Sequence, residues 1–291
     1  MKELVVVSGK GGTGKTSVVA SFAVLERSKV MADCDVDASN LHLVLAPKVQ
    51  RSETYLGGKV AVIDSERCSR CWRCADVCRF GALTGRRTGA PEVAPLHCEG
   101  CGACSIVCPE DAIGLRDVET GEWYVSETRA GPLVHATLGA GRENSGRLVT
   151  VVRSQAAILG TRRSLALSLI DGPPGIGCPV IASLTGADLA LAVTEPSAAG
   201  LHDLERAVGL ARKLGVRVAV AVNKWDLSDA VTAETENWCR ERGIPVAGRI
   251  PYDDAVTRAQ VRGSSVVEDD TGPASTAMRE LWHETRSLLG L

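Results

Sequence analysis

The chain has 291 residues, 45% of them hydrophobic and 23% charged, and a net charge of -2. That is ordinary globular composition, enough to bury one large core plus a small appendage. Near-neutral charge without a basic run, and only 3% aromatic residues, give no footing for a nucleic-acid platform built on phosphate contacts and base stacking. The first apolar run, residues 4–7, is too short for a leader and runs straight into a glycine loop. No apolar stretch is long enough to span a bilayer. Eleven cysteines without a secretory leader read as metal ligands in a reducing, cytoplasmic compartment rather than as disulfides.

Residues 4–7 are uninterruptedly apolar and read as a strand buried on both faces. Val18, Val19, Phe22, Ala23 and Leu25 then predict a helix. Between them stands Gly9-Lys10-Gly11-Gly12-Thr13-Gly14-Lys15-Thr16, followed by Ser17. Strand, glycine loop and helix form the setting of the phosphate-loop pattern G-x-x-x-x-G-K-[ST]. Glycines let several N–H groups point into one hollow, and the helix N-terminus adds partial positive charge. Lys15 supplies a full charge for the terminal phosphates, and Thr16 offers a hydroxyl to Mg²⁺. A glycine turn without a ligand is the plain alternative, and the complete motif in its setting weighs against it.

Lys10 adds a second lysine that a simple phosphate loop does not need. The form K-G-G-T-G-K-T resembles the deviant Walker A of the MinD/ParA and nitrogenase iron protein superfamily. The resemblance implies a homodimer formed on ATP binding, with Lys10 reaching the partner's nucleotide in the manner of an arginine finger. Residues 29–33 read as the next strand. After it, Asp33, Asp35, Asp37 and Asn40-Leu41 resemble switch I of the MinD group. By that resemblance Asp35 orients the attacking water and Asp33 lies near the Mg²⁺ shell. Acids that only solvate a loop or cap a helix are the alternative, which is the reading for Asp37. Cys34 reads as a small buried residue.

From about residue 58 to 120 the composition changes and a repeat appears. Cys68-x2-Cys71-x2-Cys74-x3-Cys78 recurs thirty residues later as Cys98-x2-Cys101-x2-Cys104-x3-Cys108. This spacing resembles the two-cluster bacterial ferredoxins, in which the fourth cysteine of each run ligates the other cluster. The resemblance implies one [4Fe–4S] cluster on Cys68, Cys71, Cys74 and Cys108, and another on Cys78, Cys98, Cys101 and Cys104. So small a module has little core of its own, and metal–ligand bonds supply its folding free energy. Structural zinc held by four thiolates is the alternative, though zinc sites seldom follow this spacing. Arg79 stands where the proline usually follows, and its charge is expected to raise the potential of the nearby cluster.

Gly131, Gly139, Gly141 and Gly146 make the stretch from 121 to 150 read as loop with short strands. His135 and residues 143–146 carry no mechanism at this level, and a surface loop is expected there. Residues 165–170 predict a strand ending in Asp171-Gly172-Pro173-Pro174-Gly175, which looks like Walker B running into switch II. Asp171 then holds Mg²⁺, and the glycine N–H groups sense the γ-phosphate. Cys178 is expected to be a buried structural thiol, with transient cluster ligation as the alternative. Further strands are expected at 189–193, 216–222 and 244–250. Asn223-Lys224-Trp225-Asp226 resembles the guanine-reading motif of GTPases, yet the phosphate loop and switches favour ATP, with Asn223 and Pro251 at the base. GTP stays as the alternative. The last helix, residues 277–289, is expected to pack on the sheet, since it lacks a lysine-rich face for membrane docking.

These elements predict a doubly wound, mainly parallel α/β P-loop ATPase, with residues 1–57 and 121–291 as its two parts. An inserted α+β ferredoxin module of the bacterial two-cluster type occupies residues 58–120. The resemblance implies an ATPase coupling nucleotide state to electron transfer toward a redox partner. A cofactor-assembly ATPase and a MinD/ParA-like positioning ATPase are the alternatives.

Overall fold

The computed structural model describes residues 1–139, 145–269 and 271–291. The chain runs β1 (Lys2–Ser8), α1 (Lys15–Leu25), β2 (Lys29–Asp33), α2 (Leu41–Leu45) and β3 (Lys48–Ile63). It continues with α3 (Arg73–Val77), β4 (Leu83–Thr84), β5 (Glu92–Val93), α4 (Ala103–Ile106), β6 (Ile113–Thr128) and β7 (Gly131–Leu138). Then come α5 (Ser145–Arg162), β8 (Leu167–Pro174), α6 (Cys178–Leu184), β9 (Leu189–Thr194), α7 (Ala198–Lys213) and β10 (Arg217–Asn223). A 3₁₀ turn (Trp225–Leu227), α8 (Asp229–Glu241), β11 (Val246–Ile250), α9 (Asp254–Val261), α10 (Val266–Asp269) and α11 (Pro273–Leu289) complete it.

The described residues divide into two compact units. The first comprises Met1–Glu53, Trp123–Thr137 and Ser145–Leu291; the second comprises Thr54–Glu122 with the residues from Leu138. Strands β3 and β6 each carry the chain from one unit to the other, so the unit borders fall inside strands.

In the first unit the sheet order runs β11-β10-β9-β1-β8-β2-β7, followed by β6 and β3. The pairs from β11 through β7 are parallel. Successive strand residues alternate faces. Leu4 and Val6 turn toward α1 and α11, where Phe22 and Trp282 meet at 4.8 Å between ring centroids. Helices α5, α6 and α7 pack on β2, β8 and β9. A doubly wound sheet gathers its chemistry at the C-terminal strand ends, where Ser8, Asp33, Asp171, Thr194 and Asn223 stand.

The stretch from 121 on differs from the loop its glycines suggested. Strand β6 runs unbroken through Gly121 to Thr128, because Trp123, Tyr124 and Val125 favour the pleated surface. His135 is buried on β7, only 8% exposed, and is no surface-loop residue. Gly141, Glu143 and Asn144 lie outside the described residues.

The second unit has a small core of Ala61, Cys74 and Ile113, with Cys98, Cys104 and Cys108 packed against it. Strands β4 and β5 pair antiparallel, and α3 packs on α4. Its backbone repeats with its sequence. Arg70, Trp72 and Gly81 take φ of +60°, +61° and +61°, and the residues thirty positions on, Gly100, Gly102 and Asp111, take +61°, +80° and +50°. Among the described residues no helix is long and apolar enough to cross a membrane.

Candidate functional site

The phosphate loop leaves β1 at Ser8, whose hydroxyl donates to the Lys10 carbonyl at 2.6 Å. Gly14 takes φ +93° as the N-cap of α1, and a Cβ there would lie 2.3 Å from the Asn223 amide nitrogen. Both the dihedral and the close approach require glycine. Asn223 Nδ2 donates to the Thr13 carbonyl at 2.8 Å, and its Oδ1 accepts from the Lys224 N–H at 3.0 Å. Asn223 therefore braces the loop from the end of β10. Ser17 Oγ accepts from Gln260 Nε2 at 2.7 Å, which ties α1 to α9.

Thr16 Oγ1 donates to Asp171 Oδ2 at 2.8 Å. Asp171 and Asp33 are register partners on β8 and β2, and both are buried. Burial is the main cause that pushes each carboxyl up, and for Asp171 the Asp33 charge adds to it. Asp171 Oδ1 is buried with no hydrogen-bond partner. An orphaned carboxylate oxygen beside a second buried acid is unfavourable unless a cation meets it. The donor set thus fits Mg²⁺, which Thr16 and Asp171 would hold with Asp33 beside them.

Asp33 is held from switch I. Its Oδ2 accepts from Ser39 Oγ at 2.6 Å and from the Leu41 N–H at 3.3 Å, and its Oδ1 accepts from the Asp35 N–H at 3.2 Å. Ser39 Oγ also lies 3.4 Å from His42 Nδ1. The His42 ring stands near-parallel to that of His135, 6.3 Å between centroids. His135 Nε2 meets Ser126 Oγ at 3.0 Å, and its ring stacks on Tyr124 at 4.9 Å. A chain of contacts thus runs from the Asp33 carboxylate to β6 and β7.

A cavity of about 580 Å³ opens over the loop, the size of an ordinary small-molecule site. Gly11, Gly12, Gly14, Lys15, Thr16 and Ser17 line one end, with Asp35 beside them; Asn223, Pro251 and Tyr252 are also in the lining. Burial raises the Asp35 carboxyl, and Lys15 opposes the rise. Lys10 is absent from this lining. Its ammonium pairs with Glu195, just beyond β9, which Lys224 also approaches at 3.6 Å. Asp226 is absent too; its Oδ1 accepts from the Tyr252 N–H at 2.7 Å. The Gly175 N–H donates to the Ser8 carbonyl at 2.9 Å, so in this state it faces β1 and not a phosphate.

In the second unit, Cys78, Cys98, Cys101 and Cys104 line a single pocket. One of these comes from the first cysteine run and three from the second. Of the other four, Cys74 lies in the small core, Cys108 packs against it, Cys68 is half-buried and Cys71 is exposed. Backbone N–H groups reach the sulfurs. Arg70 donates to Cys68 Sγ at 3.4 Å, Ala61 to Cys98 Sγ at 3.4 Å, and Ala112 to Cys108 Sγ at 3.3 Å. The Arg73 N–H holds the Cys71 thiol below its usual value, while burial raises Cys74 and Cys104. Among the described residues no three His, Cys, Asp or Glu converge on one metal-ion position. A [4Fe–4S] cube presents four separate irons, one to each thiolate, so it does not require three groups to converge on a single ion position. Cys178 is exposed at the first position of α6 and is not the buried thiol its sequence suggested. It opens a helix at the surface.

Glu195, Ser39, His42, His135 and Gln260 were not legible as site residues. Glu195 alone had a usable signal, as an acid at the end of an apolar strand.

The sheet and its phosphate loop define an α/β P-loop nucleotide-binding protein. Residues 4–266 match the family described as the CobQ/CobB/MinD/ParA nucleotide binding domain. The chain belongs to that family. It is 30% identical to the uncharacterized protein MJ0578 of Methanocaldococcus jannaschii, over 99% of this chain and 97% of that one. It is 28% identical to the cytosolic Fe-S cluster assembly factor NBP35 of Kluyveromyces lactis, over 42% of this chain and 43% of that protein. Its fold is that of the Pyrococcus furiosus cell division ATPase MinD, with a TM-score of 0.59 at 21% identity over 99% of each chain.

Proposed function

We propose that this protein is a Mg²⁺-dependent ATPase that dimerises on ATP and couples its nucleotide state to electron transfer through two [4Fe–4S] clusters. The observation that carries the reading is the pocket shared by Cys78, Cys98, Cys101 and Cys104. That set interleaves the two runs in the pattern of two-cluster ferredoxins, and the duplicated backbone turns support it. The second cluster takes Cys68, Cys71, Cys74 and Cys108. ATP is favoured over GTP because Asp226, the acid a guanine site needs, is outside the cavity lining. Lys15 and Thr16 bind the terminal phosphates and Mg²⁺, Asp35 orients water, and Lys10 exchanges Glu195 for the partner's phosphates on dimerisation. The contacts from Asp33 through Ser39, His42 and His135 support coupling. They link the metal position to β6 and β7, strands continuous with the cysteine-bearing unit.

Anaerobic purification followed by iron, zinc and sulfide analysis tests the cluster assignment. About eight irons per chain are expected for two cubes. Zinc in their place would overturn it.

A second reading, cluster assembly, is favoured by the similarity to NBP35. It differs in outcome: iron would leave the protein for an apo-acceptor during ATP turnover. On the electron-transfer reading, iron stays bound through many turnovers.

A further inference from the structure

The two cysteine repeats share a backbone but not a charge. The first carries Arg67, Arg70, Arg73, Arg79, Arg86 and Arg87, all exposed. Thirty residues on, the matching positions hold His97, Gly100, Ala103, Pro109, Arg116 and Asp117. The second repeat instead adds Glu99, Glu110, Asp111 and Glu119. If arginines were needed to fold the repeat or to hold its thiols, the second copy would need them as well. The duplication therefore acts as an internal control: the shared backbone does not require Arg70, Arg73 or Arg79, whose counterparts are Gly100, Ala103 and Pro109.

Three observations bear on what these charges serve. Among the described residues Arg70, Arg73, Arg79 and Arg86 form no ion pair; only Arg67 and Arg87 do, with Asp111 at 3.8 Å and Asp76 at 3.1 Å. Arg70 occupies φ +60°, a conformation unfavourable for a side chain, where its counterpart is glycine. The charge is thus kept against the backbone's preference. Phe80 and Val77, 49% and 38% exposed, lie in the same stretch of sequence as the arginines; the second repeat also exposes an apolar residue, Ile106, but without arginines beside it. Apolar residues within a charged rim are the anatomy of a protein-binding surface. Arg70 and Arg73 also flank Cys71, an exposed member of the set proposed above.

We infer that the exposed surface of the first repeat that carries Arg70, Arg73 and Arg79, with Phe80 and Val77, is the docking surface for an acidic one-electron carrier protein. The inference rests on the cluster reading for its redox role. Cys68, Cys71, Cys74 and Cys108 would hold the cluster that supplies the redox chemistry here: one electron would pass between it and the docked carrier, with no bond or proton transferred. Arginine placed against carboxylates steers encounter and sets salt dependence.

The test is direct binding, with an acidic plant-type ferredoxin as probe, a basic cytochrome c as the opposite-charge control and duplex DNA as a polyanion control. Iron-loaded wild type is expected to bind the ferredoxin at low salt and to weaken steeply as salt rises. Arg70→Glu/Arg73→Glu should weaken binding at least tenfold without weakening cytochrome c. Arg70→Gly, which removes the charge and relaxes the backbone, should weaken ferredoxin binding with iron content unchanged. Glu119→Arg, in the second repeat, should not weaken it. Wild type that ignores the ferredoxin, or charge-reversed protein that binds it equally, overturns the inference. DNA bound as tightly through the same arginines overturns it in favour of a nucleic acid. Anaerobically purified protein that carries zinc in place of iron yet binds ferredoxin through these arginines leaves the docking surface standing and sinks the cluster reading.

Discussion

Lys10 meets Glu195 and not the cavity of its own chain. Lys10→Ala is therefore expected to leave nucleotide affinity within about threefold while abolishing ATP-dependent dimerisation, read by light scattering of the eluting species with and without a non-hydrolysable ATP analogue. A monomer–dimer response equal to wild type would remove Lys10 from the dimer role. At Gly100 the backbone takes φ +61°, and a Cβ would lie 2.3 Å from the Lys59 carbonyl oxygen. Gly100→Ala should destabilise the second unit by roughly 1–3 kcal/mol and lower its iron content. His135 carries a pH dependence. Burial, then His42, pushes its pKa down to about 4. Between that value and the unfolded value near 6.5 the unfolded chain binds the extra proton. Its stabilising contribution is present above about pH 6.5 and is lost as pH falls toward 4. His135→Gln should flatten that slope by roughly 2 kcal/mol, measured by urea unfolding at pH 7 and pH 4.5. At this scale the sequence was readable where one residue type answers a local backbone need, as at Gly14. It was silent at Ser39, His42, His135 and Gln260, whose partners follow no spacing.

Elements were legible where hydrophobic runs were long. Strands β1, β2, β9 and β10 are buried on both faces and read as continuous apolar segments. Strands β3 and β6 were not, because each is partly exposed and β6 contains Gly121. Those two strands matter most to the account, since they carry the chain out of switch I and back. Helix α2 follows Asp33 and precedes β3, so any shift of Ser39 and His42 on phosphate binding acts on the start of that path. Replacing His42 with Ala should leave nucleotide binding intact but reduce the nucleotide dependence of any spectroscopic signal from the second unit. Arg79, exposed beside Cys78, belongs here as well. Arg79→Pro restores the usual turn and removes a charge, and the cluster held by Cys78 should fall in potential. Unchanged potentials in an anaerobic redox titration would remove Arg79 from this role.

For the whole molecule, the central claim is that triphosphate bound over β1, β2 and β8 is felt by the thiolate-held metal. The phosphate loop was legible because its motif is contiguous, and the cysteine repeat because its pattern occurs twice. The contacts that run from Asp33 through Ser39 and His42 to His135, all within the first unit, came only from the structure, through side chains distant in sequence. The most direct test is an anaerobic, EPR-monitored redox titration of the iron-loaded protein with and without saturating MgATP. The account predicts that MgATP moves the potential of at least one cluster by on the order of 60 mV, a tenfold change in a one-electron equilibrium, and that Asp171→Asn abolishes the shift. Superimposable titrations under saturating nucleotide would contradict it.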